Sequence, residues 1–373
     1  MIIILLLGFF LLFKLTLRYY DRNWYRNLRV DLSYDMSSVH VGQQIVIKER
    51  IENRKKMPLP IIEVGFQNDR SMMFADMANA VKSDYMYKRD VFSMSGRQRI
   101  TRKIQATCER RGFYEINEVD LVSYILLSGD KYLAKQPVYT SIYVYPKLVD
   151  VKEIKLLCER MMGDVSCQKN LYEDPFSFSS IREYTTTDPM KNINYKASAR
   201  MGQWMVNTFD STHQGVVNLF VDLEEPIMLK EPKLLEETIS IADSLVLSLM
   251  RAGMDVSVWA NTEETFDFSM ADVLANKSEL EKRFALIDTG QKMIPFSIKD
   301  EEKNIHPQPI LEQKLKEAEG LCCIISKNLE ANRDAIAMLA KETPILWIQP
   351  VEMKKGREVV KAAGLTHYLW ELT

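Results

Sequence analysis

The hydrophobic period of this chain changes once, near residue 150, and that change limits the fold more than any other feature. Before it, apolar and polar side chains alternate in short runs: NLRVDLSYDMSSVHVGQQIVIKERIENR, RQRITRKIQATCERRGFYEINEVDLVSYILLSG and PVYTSIYVYP. A period of two, broken by Ser-Ser and Val-Gly-Gln, sends alternate side chains to opposite faces of a strand. Several such strands in succession predict an immunoglobulin-like β-sandwich over residues 27–150. After residue 150, strand and helix patterns take turns. EPKLLEETISIADSLVLSLMRAG (231–253) places Leu235, Ile239, Ala242, Val246, Leu249 and Met250 on one face and ends in Arg251 and Gly253, which predicts a helix. GVVNLFVD (215–222) and MDVSVWA (254–260) flank it and are apolar enough for interior strands. GLCCIIS (320–326) and TPILWIQP (343–350) likewise enclose a helical pattern, ANRDAIAMLAKE. The alternation predicts an α/β domain, doubly wound about a largely parallel sheet, over residues 151–373.

The N-terminus, MIIILLLGFFLLFKLTLRYY, is apolar without a break from Met1 to Phe13, and the run resumes after Lys14. It is read as a transmembrane anchor over residues 1–20, because no basic residue precedes it and no small-residue cleavage site follows. Lys14, Arg18, Arg22, Arg26 and Arg29 come after the run, which under the positive-inside rule puts the large remainder on the cytoplasmic side of the cell membrane as a single-pass protein. Tyr19, Tyr20, Trp24 and Tyr25 suit the interfacial belt. Five irregularly spaced cysteines, with Cys322 and Cys323 adjacent, draw neither a disulfide framework nor a CxxC metal motif and agree with a reducing compartment.

A net charge of −2 excludes a global polyanion-binding character, so any electrostatic message is local. The four histidines, His40, His213, His306 and His367, are isolated, and no HExxH, GxSxG or Walker loop occurs. No cofactor is implied, and the chain is read as a non-enzyme.

The local message lies in REYTTTDPMKNINYKASARMGQWMVNTFD, residues 182–210. Asp188 before Pro189 reads as a helix N-cap with proline at the first helical position, and Gly202 as the C-cap. Ile193, Ala197 and Arg200 then share a face, after which QWMVNTF reads as a strand and DSTHQ as the turn of a hairpin feeding the strand at 215–222. Arg182, Glu183, Asp188, Lys191, Lys196 and Arg200 are interleaved with Tyr184, Tyr195 and Trp204. Three readings stay open: an ion-paired clamp of Arg182 or Arg200 with Glu183 or Asp188, a partner-binding surface, and a nucleic-acid groove, against which the carboxylates of the same run argue.

This stretch resembles the signature of the bacterial domain of unknown function 58 family. Arg182, Glu183, Tyr184, Asp188, Ile193, Lys196, Ser198, Ala199 and Arg200 match its pattern in order, with Thr187 in place of a glycine and Tyr195 in place of a tryptophan. ERRGFYEINEVDL (109–121) and VYPKLVDV (144–151) resemble further elements of that family. The resemblance implies a von Willebrand factor A-like domain after the signature, in a membrane-anchored protein associated with MoxR-type AAA+ ATPases. Such domains hold Mg²⁺ through Asp-x-Ser-x-Ser at the end of the first strand. Here the sequence is Asp222, Leu223, Glu224, Glu225, Pro226, so Glu224 and Pro226 replace the two serines and a degenerate, metal-free site is expected. The implied function is a non-enzymatic adaptor between membrane and protein partner. The alternative is a Mg²⁺-dependent binding module or hydrolase that uses Asp222.

Overall fold

In a computed structural model, the structure describes residues 2–77, 79–125, 129–169, 178–185, 188, 190–209, 215–225, 231–263, 266–291, 293–299, 305–327, 333, 336–337, 340, 344–352 and 366–372. Thr187, Pro189, Pro226, the expected turn at 210–214, most of the helical stretch at 331–342 and the side chain of Cys167 lie outside the described residues. The chain divides into two compact units, residues 1–148 with 281–287, and residues 149–280 with 288–373.

The first unit opens with helix α1 (Ile2–Asn23) and continues through ten strands: β1 (Leu28–Tyr34), β2 (Ser38–His40), β3 (Gln44–Asn53), β4 (Leu59–Asp69), β5 (Met72–Phe74), β6 (Ala80–Lys82), β7 (Tyr85–Met94), β8 (Arg99–Cys108), β9 (Gly112–Tyr124) and β10 (Lys131–Tyr145). They form two sheets, ordered β1-β3-β8-β5 and β2-β10-β9-β4-β7-β6. All pairs are antiparallel except β2 with β10. The period of two puts Val30 and Leu32, Ile45, Ile47 and Ile51, Ile62, Val64 and Phe66, and Val119 and Leu121 into one core between the sheets. Each such side chain stabilises by roughly 1.5–3 kcal/mol when fully buried.

One inward position of β3 breaks the apolar rule. Glu49, between Ile47 and Ile51, is 1% exposed, and neither carboxylate oxygen has a hydrogen-bond partner. Burial, reinforced by the nearby Asp90 carboxylate, pushes its pKa up to about 8, against the opposing pull of Arg102 and Lys88. Arg102, the register partner of Glu49 on β8, lies 2.7 Å from Asp90 Oδ1. Lys88 Nζ donates to the Asp76 carbonyl at 3.0 Å.

Helix α1 has two contrasting halves. Its side chains from Ile4 to Leu12 and at Leu15 are exposed on all faces, whereas Phe13 and Leu17 are half-buried. Its last turn is fixed to the sandwich: Tyr20 Oη lies 2.7 Å from Ser123 Oγ, and the Tyr132 ring packs at 6.0 Å from Tyr20 and 6.4 Å from Trp24. Trp24, just after the helix, belongs to the core, and Lys55 Nζ donates to its carbonyl. Among the described residues no helix is long and apolar enough to cross a membrane. Lys14, Arg18, Asp21 and Arg22 interrupt the second half of α1. The expected spanning anchor over residues 1–20 is therefore not supported as a span.

The second unit begins with α2 (Lys152–Lys169), a helix the period did not announce, and a small two-stranded sheet of β11 (Phe178–Glu183) and β12 (Met205–Phe209) with α3 (Tyr195–Met201) between them. Then follow β13 (Val216–Val221), α4 (Pro232–Arg251), β14 (Asp255–Ala260), β15 (Phe266–Phe268), α5 (Met270–Ala275), α6 (Lys277–Leu286, which from Glu281 onward counts with the first unit), β16 (Ser297–Lys299), β17 (Ile305–Pro307), α7 (Pro309–Glu317), β18 (Leu321–Ile325), β19 (Ile345–Val351) and β20 (Thr366–Glu371). The main sheet runs β15-β14-β13-β18-β19-β20, parallel except for β15. On one face Leu311 and Leu315 of α7 pack with Phe220, Trp259, Cys322, Ile324 and Trp347. On the other, α4 lies against β13, β14 and β19 and is covered in turn by α2, which explains why α4 is buried around most of its circumference. Gly320, which opens β18, holds φ at +96°, and a Cβ there would stand 2.2 Å from the Val216 carbonyl oxygen.

Candidate functional site

From β13 the chain moves outward to β14 on one side and later returns to β18 on the other, so the strand order reverses beside β13. In open α/β sheets the crevice beyond the carboxyl ends at such a reversal is where ligands bind. Three apolar strands end here, each in a small polar residue: Asp222 after β13, Asn261 after β14 and Ser326 after β18, all 0% exposed. Asp222 Oδ1 accepts hydrogen bonds from the Glu224 N–H and from Asn261 Nδ2, both at 3.0 Å, and Oδ2 accepts from Ser326 Oγ at 2.6 Å. Asn261 Oδ1 in turn accepts the Leu223 N–H at 2.7 Å. A buried carboxylate is tolerated because these donors replace water.

This donor set does not fit Mg²⁺. A hard cation needs oxygen ligands facing a shared open position. Here both Asp222 oxygens are engaged by protein donors, and Ser326 spends its proton on Asp222. Glu224, the other residue of the expected degenerate site, turns its Oε2 to the Phe296 N–H at 3.1 Å. Among the described residues no group of three or more His, Cys, Asp or Glu side chains converges. Glu225 Oε1 accepts from the Glu231 N–H just before α4 at 3.1 Å and from Lys327 Nζ at 2.9 Å.

The signature segment folds differently from the expected capped helix. Met190–Asn192 make a 3₁₀ turn, and α3 starts only after Asn194, whose Oδ1 accepts the Ala197 N–H at 2.9 Å. The N-cap is Asn194 and not Asp188, since Asp188 is spent elsewhere. Its two oxygens take a bidentate pair from Arg182 at 2.6 and 2.8 Å, and one of them also accepts the Thr185 N–H and hydroxyl at 2.8 Å. Hydrogen bonds from Arg182 and then Thr185 hold the Asp188 carboxyl well below the usual carboxylate range. Gly202 does close the helix, at φ +72°. The expected pairing of the strand at 203–209 with that at 215–222 is also corrected: β12 pairs antiparallel with β11, apart from the main sheet.

Within this small unit the signature residues divide by role. Glu183 Oε1 accepts from Gln203 Nε2 at 2.6 Å, and the Tyr184 N–H donates to the Trp204 carbonyl at 2.8 Å. Ser198 Oγ donates to the Asn194 carbonyl and accepts the Met205 N–H at 2.9 Å, tying α3 to β12. Arg182, Glu183, Asp188 and Ser198 thus brace the hairpin. Lys196 and Arg200 do not join them: both are exposed and, with Lys191, form no ion pair among the described residues. Around them Met190 (75%), Tyr195 (69%), Met201 (66%) and Trp204 (59%) are exposed, and the Tyr195 and Trp204 rings meet edge to face at 6.3 Å. Sequence reasoning missed Asn194, Asn261 and Ser326. The last two carried a usable signal, since each is the first polar residue after an apolar strand.

No protein-family model matches the chain, and no curated protein matches it. Among solved structures, a CARDB domain of Pyrococcus furiosus in complex with di-metal ions shares 12% identity over 32% of this chain and 96% of its own, with a TM-score of 0.22. A non-cellulosomal cohesin of Archaeoglobus fulgidus shares 11% over 34% and 95%, TM-score 0.22. A cohesin of Acetivibrio cellulolyticus in complex with a dockerin shares 12% over 31% and 98%, TM-score 0.24. These likenesses are too faint to assign a fold or a function.

Proposed function

We propose that this protein is a membrane-attached, non-enzymatic adaptor that binds a protein partner through the face built on β11, α3 and β12. The observation that carries the reading is the division of labour in the signature: its carboxylates brace the hairpin, while its aromatics, methionines and three cations stand exposed. Clustered exposed Trp, Tyr and Arg on a rigid mount suit protein recognition, because such side chains bury much area at little entropic cost. The resemblance to the domain of unknown function 58 family supports a von Willebrand factor A-like reading of the second unit and names a MoxR-type AAA+ ATPase as the partner. Attachment would come from α1: a helix that exposes apolar side chains on all faces gains little by lying flat on a surface, and its N-terminal half is stabilised by immersion in hydrocarbon. The basic residues behind it favour the cytoplasmic side.

The test is reconstitution of the full chain in lipid nanodiscs with the MoxR-type ATPase of the same genome, read by co-elution and by ATPase rate. Complex formation by the wild type and its loss in Arg200→Ala is the expected outcome. Equal co-elution of both, or none with either, removes the signature from partner binding.

A further inference from the structure

The chemistry of the exposed α3 face specifies what docks there, an inference that rests on the adaptor reading and deepens it. Along α3, Tyr195, Lys196, Ala199 and Arg200 fall on one side of the helix, at successive angles within less than half a turn. Ser198 lies opposite, bonded to β12. Trp204, against Tyr195, extends that side, and Lys191 precedes it. Among the described residues no carboxylate pairs with the three cations: Asp188 is taken by Arg182 and Thr185, and Glu183 by Gln203. The face is therefore cationic and apolar together. It is also preorganised, with Asn194 capping one end of α3, Gly202 the other, and Ser198 holding the helix to its strand.

We infer that this face receives an extended, acidic segment of a partner protein in which two carboxylates at alternate positions flank a large apolar side chain. The spacing follows from elementary geometry. Lys196 and Arg200 are four residues apart on a helix, about 6 Å of rise. Alternate side chains of an extended strand point the same way about 6.6 Å apart, so an Asp/Glu-x-Asp/Glu pattern spans the two cations in register. An apolar neighbour of that pair then reaches the Tyr195 and Trp204 rings, which meet edge to face and stand exposed. A single-stranded nucleic acid would use the same cations and stack on the same rings. The acidic segment is favoured because the described residues of this face offer three cations, whereas a nucleic-acid groove tracks the backbone over several nucleotides.

A displayed library of random twelve-residue peptides, selected against the detergent-solubilised full chain, tests this without any ATPase. Enriched peptides are then titrated by fluorescence anisotropy against wild type, Lys196→Glu with Arg200→Glu, and Trp204→Ala, alongside an oligothymidylate of about twelve nucleotides. The expected result is enrichment of acidic residues two apart next to Leu, Phe or Trp. Affinity should fall about tenfold or more on charge reversal and fall again in Trp204→Ala, with melting temperatures unchanged because all three side chains are exposed. Peptides without acidic bias, binding indifferent to charge reversal, no enrichment at all, or tighter binding of the oligothymidylate each overturn it. Failure of the ATPase to co-elute while acidic peptides bind refutes the named partner alone.

Discussion

Glu49 shows how a single side chain can make stability depend on pH. Folding lifts its pKa from 4.5 to about 8, chiefly by burial and then through Asp90. A raised acid contributes stability that is complete below pH 4.5 and is lost as the pH climbs toward 8. Glu49→Gln keeps the shape and removes the titration. It should raise the unfolding free energy measured with urea more at pH 8 than at pH 5, by a difference on the order of a few kcal/mol, and equal gains at both pH values would contradict the burial account. Asp222, unlike Glu49, has hydrogen-bond donors on both carboxyl oxygens. Asp222→Ala strands Asn261 and Ser326 in the interior and should cost about 3 kcal/mol in denaturant unfolding. Millimolar Mg²⁺ should leave the wild-type melting temperature unmoved, and a rise of several degrees would show that the cation can displace Ser326.

At the scale of elements, one bidentate pair, Arg182 with Asp188, is among the ties that brace the hairpin of β11 and β12. In Arg182→Ala, the backbone amides of both strands should exchange faster with solvent while those of β13 and β18 stay protected. Uniform exchange in both variants would mean that the pair holds nothing. Gly320→Ala forces a Cβ against the Val216 carbonyl at a positive φ and should cost about 2 kcal/mol or more in unfolding free energy. These elements also mark what the residues disclose unaided. The pattern of 231–253 announced α4, observed as Pro232–Arg251, because its apolar stripe is long and Arg251 and Gly253 mark its end. LFVD and CIIS announced interior strands for the same reason of length and hydrophobicity. What stayed hidden was pairing. Nothing in QWMVNTF tells β12 to join β11 instead of β13, since the choice is made by Arg182 reaching Asp188 and by Asn194 reaching Asn207. Nor does Asp188-Pro189 reveal that its carboxylate will serve an arginine and not a helix. Glu49 was illegible in the same way: a polar residue inside an alternating strand reads as outward until its opposite sheet is known.

For the molecule as a whole, the decisive segment is α1. Flotation of the full chain with liposomes should depend on Ile4–Leu12, and replacing Phe9 and Phe10 by Asp should leave the protein at the bottom of the gradient, whereas undiminished flotation would assign the attachment elsewhere. Protease added to intact spheroplasts should spare the sandwich if the basic residues behind α1 keep it inside. The base of that helix has a mechanical meaning. Trp24 sits in the sandwich core, Tyr20 is bonded to Ser123, and Lys55 grips the Trp24 carbonyl, so no slack linker separates helix from sheet. Helix and sheet are therefore coupled as a lever: any force that tilts α1 by a few degrees is passed to the ten-stranded body instead of being absorbed in a hinge.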